Sequence, residues 1–129
     1  MEIALRAALI EWLAGDAGLA GALNAITEEA PAKAALPWLA LATSASIDWS
    51  AKDRAGREVR IALELHCRGD RPDSAATLVA ALESRIEALP AQQDGYRIVV
   101  ARFLRARSRQ SPGNVRSIMT EYNFRLLAD

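Results

Sequence analysis

Hydrophobic and polar residues alternate most clearly between Arg57 and Arg68. Every second side chain is apolar, and the positions between them are mostly charged or polar. The apolar set is Val59, Ile61, Leu63, Leu65 and Cys67, and the other set includes Glu58, Arg60, Glu64 and His66. A period of two predicts a β-strand with one buried face and one solvent-exposed face. Such a strand is typical of an antiparallel sheet that is covered on one side.

Two segments instead repeat their apolar residues every three or four positions, which predicts helices with one buried stripe each. The first is Glu2–Ala14, with the stripe Leu5, Ala8, Leu9, Trp12 and Leu13. The second runs from about Asp73 to Leu89, with the stripe Leu78, Val79, Leu82, Ile86 and Leu89. Gly15 is predicted to end the first helix in a left-handed conformation. Asp16 can then cap a short helix from Ala17 to Leu23.

The rest of the chain reads as further strands and their connections. We predict a weak strand or extended segment at Asn24–Pro31 and strands at Pro37–Thr43, Tyr96–Arg107 and Val115–Leu127. Between them we predict connections at Ala32–Leu36 and Gly69–Asp73, a polar loop or hairpin tip at Ser44–Gly56 and a turn at Ser111–Asn114. The order of elements predicts one α+β domain over residues 1–129. It would be a mainly antiparallel sheet with the two longer helices on one face, a two-layer sandwich.

Composition narrows the function without naming it. The chain has 129 residues, of which 51% are hydrophobic, and it balances 16 basic against 16 acidic residues. The balance gives no reason to expect a general attraction to nucleic acid or to an anionic membrane. No apolar run approaches the ~20 residues that a membrane-spanning helix needs. One cysteine excludes an internal disulfide bond.

Groups able to do chemistry are sparse in this sequence. His66 and Cys67 are neighbours on a predicted strand, so they point to opposite faces and cannot form a catalytic pair. Cys67 is expected in the core, and His66 on the polar face. Neither a metal-ligand spacing nor a glycine-rich phosphate loop is present. We therefore predict no catalytic, cofactor-binding or metal-binding residues; an enzyme would need a carboxylate constellation that the sequence does not reveal.

Two polar segments are candidates for contact with a partner. Arg105, Arg107 and Arg109 follow at alternate positions, predicted on the same face as Phe103, where apolar burial ends. They are either the solvated tip of a hairpin or an arm that contacts a partner subunit or polyanion, since guanidinium groups bind carboxylate and phosphate in two places. Trp49, beside Asp48 in a polar loop, either folds back on the core or anchors an interface.

With these segments in place, the chain resembles the small tail-completion or tail-terminator proteins of long-tailed bacteriophages, and most closely those of gene transfer agents. The resemblance extends over nearly the whole chain. It is carried by the segments Leu5–Leu9, Trp12–Leu13, Leu19–Leu23, Ile26, Pro31, Pro37–Leu41, Asp48–Trp49 and Val59–Cys67, with His66 near the strand end. The second long helix and the final β-hairpin complete the match.

The resemblance implies a structural virion protein that catalyses no reaction and needs no cofactor. It implies a ring, typically of six copies, at the head-proximal end of the tail tube. The ring stops tube polymerisation, meets the head connector and lets DNA pass without sequence-specific binding. Asp48, Trp49, Arg105, Arg107 and Arg109 are then the candidate interface residues. The protein would act in the tail of a phage or gene transfer agent particle, after assembly in the bacterial cytoplasm.

One further hypothesis comes from a different class of protein. A small regulatory domain, monomeric or dimeric, would bind a ligand or a protein. It predicts a concave apolar pocket and no ring, so the solution mass separates it from the structural interpretation.

Overall fold

A five-stranded sheet forms one layer of the fold and three helices form the other. The computed structural model describes residues 1–31, 33–70 and 72–129. In chain order the elements are α1 (Glu2–Ala14), α2 (Ala17–Ala22), β1 (Ile26–Thr27), β2 (Trp38–Asp48), β3 (Gly56–Arg68), α3 (Pro72–Glu87), β4 (Tyr96–Ser111) and β5 (Val115–Ala128). The strand order is β1-β2-β3-β5-β4; β1 is parallel to β2, and every other pair is antiparallel. The predicted α+β fold with a mainly antiparallel sheet is confirmed.

The core lies between the helices and one face of the sheet. Leu5, Leu9 and Leu13 recur every four residues along α1, and all three are fully buried. Leu82 and Ile86 repeat the spacing on α3. The strands contribute the alternating residues predicted from their period, namely Val59, Ile61, Leu63, Leu65, Cys67, Ile118, Tyr122, Phe124 and Leu126. Because helical and strand periods both point their apolar residues at this layer, one core forms.

Helices α1 and α3 are also joined by a pair of polar side chains. The indole N–H of Trp12 donates to the backbone oxygen of Arg85 at 2.7 Å, and Arg85 Nε donates to the backbone oxygen of Trp12 at 2.9 Å. The guanidinium carbon lies 3.4 Å from the centre of the Trp12 ring, which adds a cation–π contact. Trp12 is therefore half-buried beside α3 rather than part of the deep core.

The junction between α1 and α2 differs in part from the prediction. The Asp16 side chain accepts a hydrogen bond from the backbone N–H of Leu19 at 3.0 Å, so the predicted cap is confirmed. Gly15, however, has φ −75° and ψ −9°, so the predicted left-handed stop is wrong. Its N–H bonds to the oxygen of Glu11, and the chain passes into α2 in a right-handed conformation.

The second strand is longer than its hydrophobic pattern indicates. Strand β2 extends to Asp48, so the prediction that the polar loop begins at Ser44 is wrong. The residues after Thr43 are small or polar, and their partners on β3 hold them in the sheet: Ala45 pairs with Arg60, and Ile47 with Glu58. The loop is confined to residues 49–55. The predicted connections Ala32–Leu36 and Gly69–Asp73 include Ala32 and Arg71, which lie outside the described residues.

Strand β4 contains two β-bulges, between Ile98 and Val100 and between Phe103 and Arg105. Each bulge adds a residue and so exchanges the two faces of the strand. Phe103 pairs with Tyr122 on the helix side, with ring centres 5.6 Å apart, whereas Arg105 pairs with Glu121 on the opposite side. The prediction that Arg105, Arg107 and Arg109 share a face with Phe103 is therefore wrong.

Candidate interaction surface

The sheet face that points away from the helices carries most of the charged residues of the strands. We call it the open face. The strand registers place on it eight arginines, Arg60, Arg68, Arg97, Arg102, Arg105, Arg107, Arg109 and Arg125, and three glutamates, Glu58, Glu64 and Glu121. The whole chain has no net charge, but this face is basic, because cations outnumber anions there.

Arg105 is already engaged by a neighbour within the chain. Its Nε and Nη2 atoms donate to the two carboxylate oxygens of Glu121 at 3.0 and 3.2 Å. A nitrogen of Arg107 lies 4.0 Å from the same carboxylate. The hydrogen bond from Arg105 lowers the pKa of Glu121, and the same bond raises the pKa of Arg105. This two-point pairing stiffens β4 against β5 and leaves Arg105 less available to a partner.

Arg102 and Arg109 differ from Arg105 in this respect. Both are exposed, and neither makes an ion pair within the part of the chain that the structure describes. Strand β4 as a whole carries five arginines and no acidic residue. The strand is thus a row of cations whose charge β5 offsets only near Glu121.

Asp48 and Trp49 lie where β2 ends. Asp48 is exposed and accepts a hydrogen bond from the Ser50 hydroxyl at 2.7 Å. Trp49 is half-buried, with the Arg125 guanidinium 5.4 Å from its ring centre. Arg125 in turn donates to Glu58 at 2.7 Å. Trp49 therefore packs against the charged open face, and part of its ring stays accessible.

The structure does not bring the two groups of candidate residues together. Asp48 pairs with Arg57 on β3, and Arg57 pairs with Leu126 on β5. Leu126 in turn pairs with Ile98, near the beginning of β4, so Asp48 lies at that end of the sheet. Arg109 pairs with Ser117 near the other end of the sheet. The two groups also lie on opposite sides, on β2 and on the edge strand β4. They form two separate patches.

His66 belongs to a cluster that the sequence did not reveal. Its ring stacks on Trp38 at 4.0 Å between centres, and its Nδ1 lies 3.2 Å from the Ser117 hydroxyl. Its Nε2 lies 3.0 Å from a Glu64 oxygen, without the alignment of a hydrogen bond. Ser117 is only 5% exposed, so a substrate has little access to its oxygen. The cluster joins β2, β3 and β5, and only their register could have shown it.

The remaining chemistry is limited within the described residues. Cys67 is buried as predicted, and burial raises the pKa of its thiol, which makes the reactive thiolate rarer. Residues 1–31, 33–70 and 72–129 contain no cluster of three or more His, Cys, Asp or Glu side chains placed to hold a metal ion. None of the helices in that part is long and apolar enough to cross a membrane.

Comparison with known proteins identifies the class to which this fold and surface belong. Residues 7–127 match the family described as tail completion protein gp17. The protein is thus a structural protein of tail assembly. It belongs to the tail completion protein gp17 family, and the resemblance to phage tail-completion proteins is confirmed.

The solved structures support the same fold. One chain of a structure titled "Virion of native gene transfer agent (GTA) particle" is 23% identical in sequence, with a TM-score of 0.78. The match covers 97% of this chain and 96% of that one, so the two folds agree over nearly their full lengths. No curated protein matches the chain.

Proposed function

We propose that this protein caps the head-proximal end of a tail tube as a homo-oligomeric ring of six copies. In this role it stops polymerisation of the tube protein, joins the tail to the head connector, and lets DNA pass without reading its sequence. It acts within the tail of a phage or gene transfer agent particle, assembled in the bacterial cytoplasm. It catalyses no reaction and needs no cofactor.

The match of residues 7–127 to a tail-completion family carries the proposal. The likeness in fold to a chain of a gene transfer agent virion supports it. A ring of identical subunits needs two different patches on each copy, because neighbours meet head to tail. Asp48 and Trp49 on one side of the sheet, and Arg105, Arg107 and Arg109 on the other, are suited to be those patches.

The test is to mix the purified protein with tail tube protein that polymerises alone into tubes of uncontrolled length. We expect the protein to shorten the tubes and to add density at one end, visible by electron microscopy. Light scattering should show a discrete ring-sized species, alone or with tube protein. A variant with Arg105, Arg107 and Arg109 all replaced by glutamate should keep its circular dichroism spectrum and lose this species.

Two results would contradict the proposal, the first in whole and the second in its assignment of the interface. One is a monomer or dimer that persists at every concentration and leaves tube length unchanged. That result would favour the small regulatory domain, and the search would turn to its ligand. The other is unimpaired assembly of the triple-glutamate variant, which would remove the arginines from the proposed interface while leaving the capping role in place.

A further inference from the structure

We propose that neighbouring copies of this chain join by edge-to-edge pairing of their sheets. The free edge of β4 in one copy adds, antiparallel, to the free edge of β2 in the next, and Arg109 of the first copy meets the acidic segment Glu28–Glu29 of the second. This inference rests on the ring proposed above and assigns the contact that builds it.

Strand β4 has a long edge without a strand partner. At its beginning, the segment before the strand covers this edge: the Ile98 N–H donates to the Ala91 oxygen at 2.7 Å, and Gln92 bridges to Arg97. Beyond Ile98, β5 is the sole strand that pairs with β4 among the described residues. Side chains from Ala101 to Gln110 are exposed on both faces, apart from the half-buried Leu104. An edge of this length is a template for another strand.

The other side of the sheet has a matching free edge. Strand β1 pairs with β2 at Leu39 and Ala40 alone. From Leu41 to Asp48, the part of the chain that the structure describes offers β2 no strand partner except β3. Ile47, on this stretch, is a large apolar residue with 64% of its surface exposed.

The directions of the two strands suit one continuous sheet. Each step from β2 to β3, from β3 to β5 and from β5 to β4 reverses the direction, so β2 and β4 run oppositely. When β4 of one copy lies beside β2 of the next in the same orientation, the pair is antiparallel. New ladder hydrogen bonds would then use backbone groups that otherwise face water.

The charges of the two edges are complementary. Strand β4 carries arginines and no acidic residue. Beside the beginning of the free β2 edge lies a groove of about 350 Å³, whose lining includes Glu28, Glu29, Leu41 and Ala42. Glu28 pairs with Arg6 at 3.1 Å, whereas Glu29 is exposed and makes no ion pair among the described residues. An incoming arginine would therefore find an unpaired carboxylate there.

Antiparallel pairing also determines which charges meet. The end of β4, with Arg109, comes to the beginning of the free β2 edge, beside Glu28 and Glu29. The beginning of the free β4 edge, near Arg102, comes to Asp48 at the other end of β2. Strand β1 occupies the β2 edge at Leu39 and Ala40, so it limits how far the neighbouring strand can slide.

A charge exchange tests this contact. Arg109→Glu and Glu29→Arg each place like charges at the junction, and like-charge contacts at an interface are strongly unfavourable. We expect each single variant to raise the concentration needed for the ring-sized species by about tenfold or more. The double variant Arg109→Glu/Glu29→Arg restores opposite charges and should recover most of the assembly. Arg97→Glu, on the covered part of the same strand, is the matched control and should assemble as the wild type does.

The measurement is light scattering across concentration, with and without tail tube protein. The inference is overturned if the wild type assembles and both single variants assemble equally well, or if the double variant is no better than the singles; the capping function then survives. If the wild type forms no ring-sized species under either condition, the capping function fails, and the edge contact fails with it.

Discussion

At the residue scale, Gly56 has the most tightly enclosed backbone position among the glycines. It begins β3 and is buried where the loop after β2 returns to the sheet. A Cβ atom there would collide with the backbone oxygen of Trp49 and would lie 2.8 Å from the oxygen of Leu126. Backbone atoms cannot move aside as easily as the end of a side chain. The close approach therefore explains why this position holds glycine.

We expect Gly56→Ala to lower the free energy of unfolding by about 1–3 kcal/mol, the usual cost of overpacking. Gly21 in α2 is the control, because a Cβ atom there meets nothing within 4 Å. Gly21→Ala should raise the stability by about 0.5–1 kcal/mol, since alanine loses less conformational freedom on folding. Urea denaturation measures both. Equal effects of the two changes would show that the loop gives way easily at Gly56.

At the element scale, the helices are attached to the sheet by a few fully buried side chains. Leu82 on α3 is 2% exposed and belongs to the common core. Leu82→Ala should lower the free energy of unfolding by about 2–5 kcal/mol, because it removes buried surface and leaves a cavity. Ile3→Ala, at a residue that is 80% exposed on α1, should change it by less than about 0.5 kcal/mol.

Chemical denaturation of the two variants and the wild type gives the comparison. A loss well under ~1 kcal/mol for Leu82→Ala would mean that α3 does not rely on this face for its packing.

The elements also show what the sequence could and could not predict. The alternation from Val59 to Cys67 predicted β3, because every second residue of this segment is apolar and buried. The part of β2 after Thr43 was missed, because its small and polar residues carry no hydrophobic signal. The position of Arg105, opposite Phe103, was missed because a bulge depends on the partner strand and leaves no mark in composition.

The candidate interface was likewise predicted only in part from the sequence. The sequence identified Arg105, Arg107 and Arg109 as a cationic run, since residue type alone shows this. It could not show that Glu121 already pairs with Arg105, because that contact depends on the register between β4 and β5. For the same reason it could not place Glu29 beside a free strand edge.

At the scale of the whole molecule, two carboxylates hold separate parts together. Glu2 on α1 accepts a hydrogen bond from the Ser44 hydroxyl on β2 at 2.5 Å, and Glu121 on β5 pairs with Arg105 on β4. The bond from Ser44, followed by one from Ser46, lowers the pKa of Glu2. The pKa of Glu121 is lowered chiefly by Arg105. Both groups are therefore stabilising while they are ionised.

A carboxylate whose pKa is lower in the folded state than in the unfolded state stabilises the fold at pH values above its unfolded-state pKa. This stabilisation is lost as the pH falls through the folded-state pKa. We expect stability to decrease below the ordinary carboxyl pKa of 4.5. The double variant Glu2→Gln/Glu121→Gln should be less stable than the wild type at neutral pH and lose less on acidification. Urea midpoints from neutral to acid pH measure this, with Glu11→Gln, an exposed change on α1, as the control. Parallel curves for all three proteins would contradict it.

The bulge between Phe103 and Arg105 has a consequence for any alignment of related chains. A single residue, Leu104, separates the two positions that face opposite ways. A relative with the same spacing but a regular strand at this point could keep every arginine and still direct those at the positions of Arg105, Arg107 and Arg109 toward the helix layer. The presence of the bulge, more than the number of arginines, therefore decides whether a property of this surface can be transferred from one family member to another.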